Sequence, residues 1–354
     1  MEPNSSDWVL FFTLHEKNMH YIVCETPGKL VLTEKEVPVP QPGEVLVRIK
    51  KVGICGTDIH AFAGNQAFFT YPRILGHELA GEVADPNGQA GFNPGDKVAI
   101  IPYVSCGSCI ACRAGKTNCC STLKVYGVHT DGGMQEYFSF PAQLLLPAPD
   151  LSLEEIAIIE PLCIGYHAVQ RAQFTAGETV LIMGCGPIGL AMIRFATLAG
   201  ARVIAVDVNA QRLEKARSRF GADEILVAGE SLANQVSELT GGELCPVVMD
   251  ATGNKQALES GLNYLAHGGR YLLVGLYKGD LAINHPTLHA KEGAVMSSRN
   301  ATKKDFAAVM ELLRTKQFPV EAYVTHEASY DEMISKFEHW TQADSQVIKA
   351  MVSF

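Results

Sequence analysis

Between residues 53 and 78 the chain gathers side chains that can hold a metal and move a proton. The first cluster reads G-I-C-G-T-D-I-H from Gly53 to His60, and the second reads G-H-E from Gly76 to Glu78. Cys55 offers a thiolate, His60 and His77 offer imidazoles, Glu78 a carboxylate and Thr57 a hydroxyl. A catalytic zinc takes three ligands of the Cys, His and carboxylate types and keeps one position open. A hydroxyl and a further His can carry a proton. Cys55 and His77 supply two ligands, so a third is needed. Glu78 is one candidate; Glu160 and Cys163, in E-P-L-C-I-G-Y-H over 160–167, are the others.

A second group has the spacing of a structural metal site. Cys106, Cys109 and Cys112 recur every three residues, and Cys120 follows. Four sulfurs suit a closed tetrahedral zinc, which stabilises a loop too short to have a core of its own. Cys119 competes for the fourth place, but the spacing favours Cys120.

A third group has the form of a dinucleotide turn. Gly184-Cys185-Gly186-Pro187-Ile188-Gly189 fits G-x-G-x-x-G. It follows an expected strand over 180–183 and opens an expected helix over 188–199, the context the motif requires. The first glycine allows the turn, the second lets backbone approach a pyrophosphate, and the third lets helix and strand pack closely. Asp207 ends the next expected strand. A carboxylate there accepts hydrogen bonds from ribose hydroxyls and repels a 2′-phosphate, which favours NAD over NADP. Arg212 could lie against the adenine, pair with a phosphate, or be an ordinary solvated helix residue.

These groups need elements to position them. From 21 to 147 short runs rich in β-branched residues are broken by Gly and Pro, with strands expected over 30–37 and 45–52 and a turn at Gln41-Pro42-Gly43. This half reads as mostly β and barrel-like. From about 151 the period changes to strand–helix alternation, which makes a parallel, doubly wound sheet. Strands are expected over 203–206, 225–227, 247–250 and 271–274, with helices over 211–220, 232–239 and 255–265. After about 293 the alternation stops; a helix over 304–314 and a strand over 347–352 follow. The expected domains are thus 1–154, 155–292 and a return to the first domain over 293–354.

Composition narrows the function. Of 354 residues, 47% are hydrophobic and 19% charged, and the net charge is 29 − 38 = −9. An acidic chain of this kind argues against a nucleic-acid surface or a polybasic membrane patch. No apolar run is long enough to span a bilayer. The apolar run over 8–14 lacks the basic flank and cleavage pattern of a secretory signal. Residues 1–18 read as an extension before the first strand, with Met19 as an alternative start. Five of the ten cysteines fall within 106–120, which reads as metal ligation in a reducing compartment, hence a cytoplasmic protein.

Taken together, G-I-C-G-T-D-I-H, G-H-E, the four-cysteine loop, E-P-L-C, G-C-G-P-I-G and Asp207 resemble the zinc-dependent medium-chain dehydrogenase/reductase superfamily over nearly everything from residue 20 onward. The resemblance implies a GroES-like catalytic domain, a Rossmann domain, and a cleft holding NAD and one catalytic zinc, besides the structural zinc. The Glu160-Pro161-Leu162 version is similar to the polyol and sugar dehydrogenase branch, in which a glutamate here serves the zinc. In the alcohol dehydrogenases a cysteine matching Cys163 does so. The resemblance therefore favours Glu160. G-N-Q-x-F-F at Gly64, I-P-Y-V at Ile101, D-A-T-G-N at Asp250 and S-R-N-A-T at Ser298 resemble members that oxidise a hexonate to a ketouronate.

The expected chemistry is oxidation of a secondary hydroxyl of a polyol or sugar acid. Thr57 accepts the hydroxyl proton, which passes through the cofactor ribose toward His60 and solvent. Glu78 is a metal ligand in one state or a neighbour of the site in another. Arg299 is the candidate to meet an aldonate carboxylate, with a structural ion pair as its alternative role. A neutral-polyol, butanediol or threonine dehydrogenase is the runner-up, and a homodimer or homotetramer is what the resemblance implies.

Overall fold

The computed structural model describes residues 18–66, 69–342 and 345–354. Most of the expected leading extension, including the run over 8–14, lies outside these residues, as do two positions of the stretch that starts at Gly64. The chain divides into two compact units. One takes the residues up to Ile110, Cys120–Glu160 and Val324–Phe354; the other takes Ala111–Cys119 and Pro161–Tyr323. Among the described residues no helix is long and apolar enough to cross a membrane.

The first unit opens with β1 (Asn18–Thr26), β2 (Lys29–Glu36), β3 (Glu44–Gly53), β4 (Arg73–Ile74) and β5 (Glu78–Asp85). It continues with β6 (Lys97–Ile100), β7 (Tyr103–Val104), β8 (Lys124–Val125), β9 (Tyr137–Pro141) and β10 (Leu145–Pro147). Gly43, at φ +90°, closes the turn into β3 where a side chain would be strained. The buried residues of β3 include Val45, Val47, Ile49 and Val52, which pack with Leu79 and Phe140 in the core of this unit. The strand pairs antiparallel with both β5 and β9. Gly53 stands opposite Glu78 in that register.

The second unit carries β11 (Thr179–Met183), β12 (Arg202–Asp207), β13 (Glu224–Val227), β14 (Cys245–Asp250), β15 (Leu265–Leu273) and β16 (Ala294–Ser297). They form a parallel sheet in the order β13-β12-β11-β14-β15-β16. The first strand in sequence therefore lies at the centre, and the order reverses between β11 and β14. In open sheets of this kind ligands bind outside the carboxyl ends of the strands at that reversal. Leu181, Ile204 and Val248 are fully buried, as strands covered on both faces require.

The expected boundary after 292 does not match this division. β16 extends the parallel sheet by pairing with β15, and the helix Lys303–Arg314 belongs to the same unit, which runs to Tyr323. The signal was faint because a polar stretch with only the short helix His285–Ala290 separates β15 from β16. The expected helix over 255–265 is also shorter. It becomes 3₁₀ at Gly261–Tyr264, and β15 begins at Leu265.

The chain then returns to the first sheet. β17 (Val324–Ser329) and β18 (Lys349–Ser353) complete the path β10-β6-β5-β3-β18-β17. Met351 of β18 pairs with Gly53, so three strands converge where β3 ends.

Candidate active site

Cys55 follows the end of β3 and caps the helix Gly56–Phe62. Asp58 closes the cap by accepting a hydrogen bond from Cys55 N at 2.9 Å, and it accepts another from Gly76 N at 3.2 Å. One carboxylate thus ties the Cys55 turn to the turn that presents His77. Ligand atoms of Cys55, His77 and Glu78 lie within 4.8 Å of one another. His77 is buried, and among the described residues its Nδ1 has no hydrogen-bond partner; Asp58 Oδ1 is 4.0 Å away. Burial alone would lower the His77 imidazole. The Cys55 thiol beside it, with Asp58 and Glu160, holds it well above its ordinary value instead. A buried imidazole grouped with a thiol and a carboxylate fits a zinc ion.

Glu160 and Cys163 stand near the start of the helix Ile159–Ala172, both buried. Among the described residues neither joins the 4.8 Å group. Glu160 is close enough for its charge to act on His77, and the Tyr103 hydroxyl donates to its Oε1. Burial raises the Glu160 carboxyl, against the lowering pull of His77.

Glu78 is held from the far end of the chain. Lys349 Nζ donates to both Glu78 oxygens at 2.6 Å and to Ile54 O at 3.0 Å. Gly53 makes room for this pair: a Cβ there would meet Glu78 Oε2 at 2.1 Å. Thr57 and His60 lie three residues apart on the helix, a spacing that puts them on one face. His60 is exposed, with Nδ1 2.9 Å from Asn65 Oδ1. The carboxamide oxygen accepts, so Nδ1 donates and Nε2 is left as the acceptor.

Sequence reading assigned no role to Asp58, Tyr103 or Lys349. Asp58 was in view inside G-T-D. The signal for Lys349 was a lone lysine at the head of the apolar run Ala350–Val352. Tyr103 was in view inside I-P-Y-V.

In the loop that follows β7, the sulfurs of Cys106, Cys109, Cys112 and Cys120 lie within 4.8 Å of one another, while Cys119 is exposed and outside the group. Cys106 Sγ accepts from Cys109 N at 3.3 Å, and Cys120 Sγ from Cys106 N at 3.3 Å. The Ser108 hydroxyl, backbone N–H groups and Cys120 bring the Cys106 thiol down to about 5. Sulfurs already supported by N–H donors fit a tetrahedral metal.

The glycine turn stands at the carboxyl end of β11. Gly184 takes φ +96°. Gly189 must lack a side chain, because a Cβ would sit 1.7 Å from Gly184 O. Gly186 has open space where its Cβ would be, and it caps the helix Pro187–Leu198, whose first residue is proline. That leaves unhindered N–H groups at a positive helix end, a fit for a pyrophosphate. Asp207 ends β12 and accepts from Cys185 N at 2.6 Å and Asn209 N at 2.8 Å. Arg212, on the helix Ala210–Lys215, is near enough for its charge to act on Cys185, whose thiol burial pushes up.

Comparison with known proteins extends this geometry. One family model, the alcohol dehydrogenase GroES-like domain, matches residues 41–150, and another, the zinc-binding dehydrogenase, matches residues 187–315. The L-galactonate-5-dehydrogenase of Escherichia coli (strain K12) is 41% identical over 95% of this chain and 99% of its own. The chain belongs to the zinc-dependent medium-chain dehydrogenase family. As a member it is an oxidoreductase that works with zinc and a nicotinamide cofactor, on a GroES-like domain and a Rossmann domain. The erythritol/L-threitol dehydrogenase of Mycolicibacterium smegmatis is 32% identical to this dehydrogenase over 88% of the chain and 91% of its own. The crystal structure of a short chain alcohol dehydrogenase of Escherichia coli CFT073, complexed with NADH, superposes with a TM-score of 0.88. It is 30% identical and covers 96% of this chain and 100% of its own. The relatives include dehydrogenases of polyols and of a sugar acid, which places this enzyme in the polyol and sugar branch.

Proposed function

We propose that this dehydrogenase oxidises a secondary hydroxyl of a sugar acid, taking an aldonate to a ketouronate with NAD+. The observation that carries the carboxylate is Arg299. Its side chain is exposed, and among the described residues its guanidinium makes no hydrogen bond or ion pair. A planar guanidinium left free is matched to a carboxylate by two parallel hydrogen bonds. The 41% identity to an L-galactonate-5-dehydrogenase supports the same substrate class.

When bound, zinc would supply Lewis acidity toward the hydroxyl oxygen and NAD+ would supply the hydride acceptor. Cys55 and His77 would hold the metal, with Glu160 as the third ligand. Glu160 Oε1 accepts from Tyr103, whereas Oε2 has no protein donor among the described residues; both Glu78 oxygens are taken by Lys349. Glu78 is then a neighbouring charge balanced by its own lysine. Thr57 Oγ1 accepts the hydroxyl proton as it releases its own, and His60, with Nε2 as acceptor, delivers that proton to solvent. The balance is one C–H hydride and one O–H proton lost, and one C=O formed. Gly184, Gly186, Pro187, Ile188 and Gly189 cradle the pyrophosphate. Asp207 accepts from the ribose hydroxyls and disfavours a 2′-phosphate. Arg212 lies beside the same turn as a cation for the phosphates.

The test is NADH formation over a panel of aldonates and the matching neutral polyols, with wild-type enzyme and Arg299→Ala. An aldonate is expected to give the highest kcat/KM, and the variant to raise KM for aldonates by about tenfold or more while neutral polyols are unmoved. An unchanged aldonate KM in the variant overturns the carboxylate reading. A neutral polyol as best substrate of the wild type makes this a polyol dehydrogenase instead.

A further inference from the structure

Arg299 sits in a three-residue stretch whose own side chains do not anchor it. Among the described residues Ser298 Oγ and Asn300 Nδ2 are buried without a hydrogen-bond partner, and Asn300 holds φ +49°, the left-handed region. A conformation of that kind persists only where the surroundings fix it. The backbone leading into Arg299 is fixed from outside. Arg171 Nε donates to Ser297 O at 2.6 Å, and Ser298 N donates to Leu273 O at 3.0 Å. The Arg299 carbonyl itself accepts from Asn118 Nδ2 at 3.1 Å.

Asn118 lies in the 3₁₀ turn Thr117–Cys119, between Cys112 and Cys120, and is 4% exposed. Its Nδ2 is also 3.2 Å from His167 Nε2. His167 Nδ1 is 3.0 Å from Asp305 Oδ2. The same oxygen accepts from Thr302 N and Thr302 Oγ1, each at 2.7 Å, in the capping box of the helix Lys303–Arg314. Donor and acceptor roles follow in one direction. The carboxylate can only accept, so His167 Nδ1 donates and, in the neutral ring, Nε2 accepts. Asn118 Nδ2 then spends its two hydrogens on His167 Nε2 and on Arg299 O. Reversing the amide would set Oδ1 against a carbonyl oxygen, so the chain fixes the orientation of Asn118.

We propose that Asn118, oriented by His167 and Asp305, is a positioning residue that holds the Arg299 peptide and thereby sets where the guanidinium meets a carboxylated substrate. It follows that a residue of the cysteine loop tunes substrate choice without touching substrate. The substrate consequence rests on the aldonate reading above; the anchoring itself does not.

Two readouts keep these apart. Hydrogen–deuterium exchange of the zinc-loaded full chain reports the peptide covering Ser298–Thr302, and steady-state kinetics compare an aldonate with its neutral polyol. In Asn118→Ala, uptake by that peptide is expected to rise by about tenfold or more, and KM for the aldonate by about tenfold with kcat and the neutral-polyol KM little changed. Asn118→Asp, nearly isosteric but with no N–H to give, should behave like the alanine variant. Should both fail to fold, His167→Ala leaves the cysteine loop intact and is expected to shift both readouts in the same direction. Unchanged uptake in the folded variants overturns the anchoring. Raised uptake with an unmoved aldonate KM leaves Asn118 as an anchor and overturns its role in substrate choice. If Arg299→Ala is silent as well, the aldonate reading fails and the anchoring stands.

Discussion

Lys349 Nζ lies 2.6 Å from each carboxylate oxygen of Glu78, and the two side chains are 2% and 0% exposed. Burial alone would lower the Lys349 ammonium, but Glu78, with Cys55 and Glu160 further off, holds it above its ordinary value. A pair of this kind is worth little net, yet each member is costly once alone, because a desolvated charge is left without its partner.

Lys349→Ala should therefore destabilise the enzyme by about 3–5 kcal/mol, whereas Lys349→Met combined with Glu78→Gln should recover much of the loss. Urea denaturation of the zinc-loaded proteins measures both. A single-variant loss under about 1 kcal/mol would show that Glu78 finds another cation.

Asp207 is expected to set cofactor choice while also supporting the glycine turn through Cys185 N. Asp207→Ser should lower the ratio of kcat/KM for NAD over NADP by on the order of 100-fold. The two coenzymes compared at one fixed substrate concentration give the number. An unaltered ratio would move the discrimination to another residue.

Asp305 predicts an acid-side effect. Burial pushes its carboxyl up, but hydrogen bonds from His167 and Thr302 outweigh that and hold it below the usual value. A depressed carboxyl contributes stability above its unfolded value, and that contribution is lost as pH falls through the lower folded value. Asp305→Asn should cost about 1–3 kcal/mol at neutral pH, and the gap should close below about pH 4, the unfolded carboxylate range. Denaturation of both proteins at pH 7 and pH 3 checks the sign; a gap that widens in acid contradicts it.

What could be read from the sequence was what short spacing encodes. The glycine turn, the four-cysteine loop and the Cys55–His77 pair are local motifs, and β11, β12 and β14 announce themselves as apolar runs. What could not be read depends on partners far apart in the chain. Lys349 meets Glu78 only because β18 returns to pair with β3. Tyr103 meets Glu160 across 57 residues, and Asn118 meets Arg299 across 181. β16 escaped because it is a four-residue edge strand, partly exposed, with no apolar alternation around it.

The central claim is that Cys55 and His77 hold the zinc at which the hydroxyl is oxidised. Metal content and NADH formation in Cys55→Ala, beside wild type, test it most directly. The account predicts a folded variant with about one zinc fewer per chain, the cysteine-loop zinc retained, and activity down by about a thousandfold or more. A Cys55→Ala enzyme that keeps its full zinc content and oxidises substrate at the wild-type rate would contradict it.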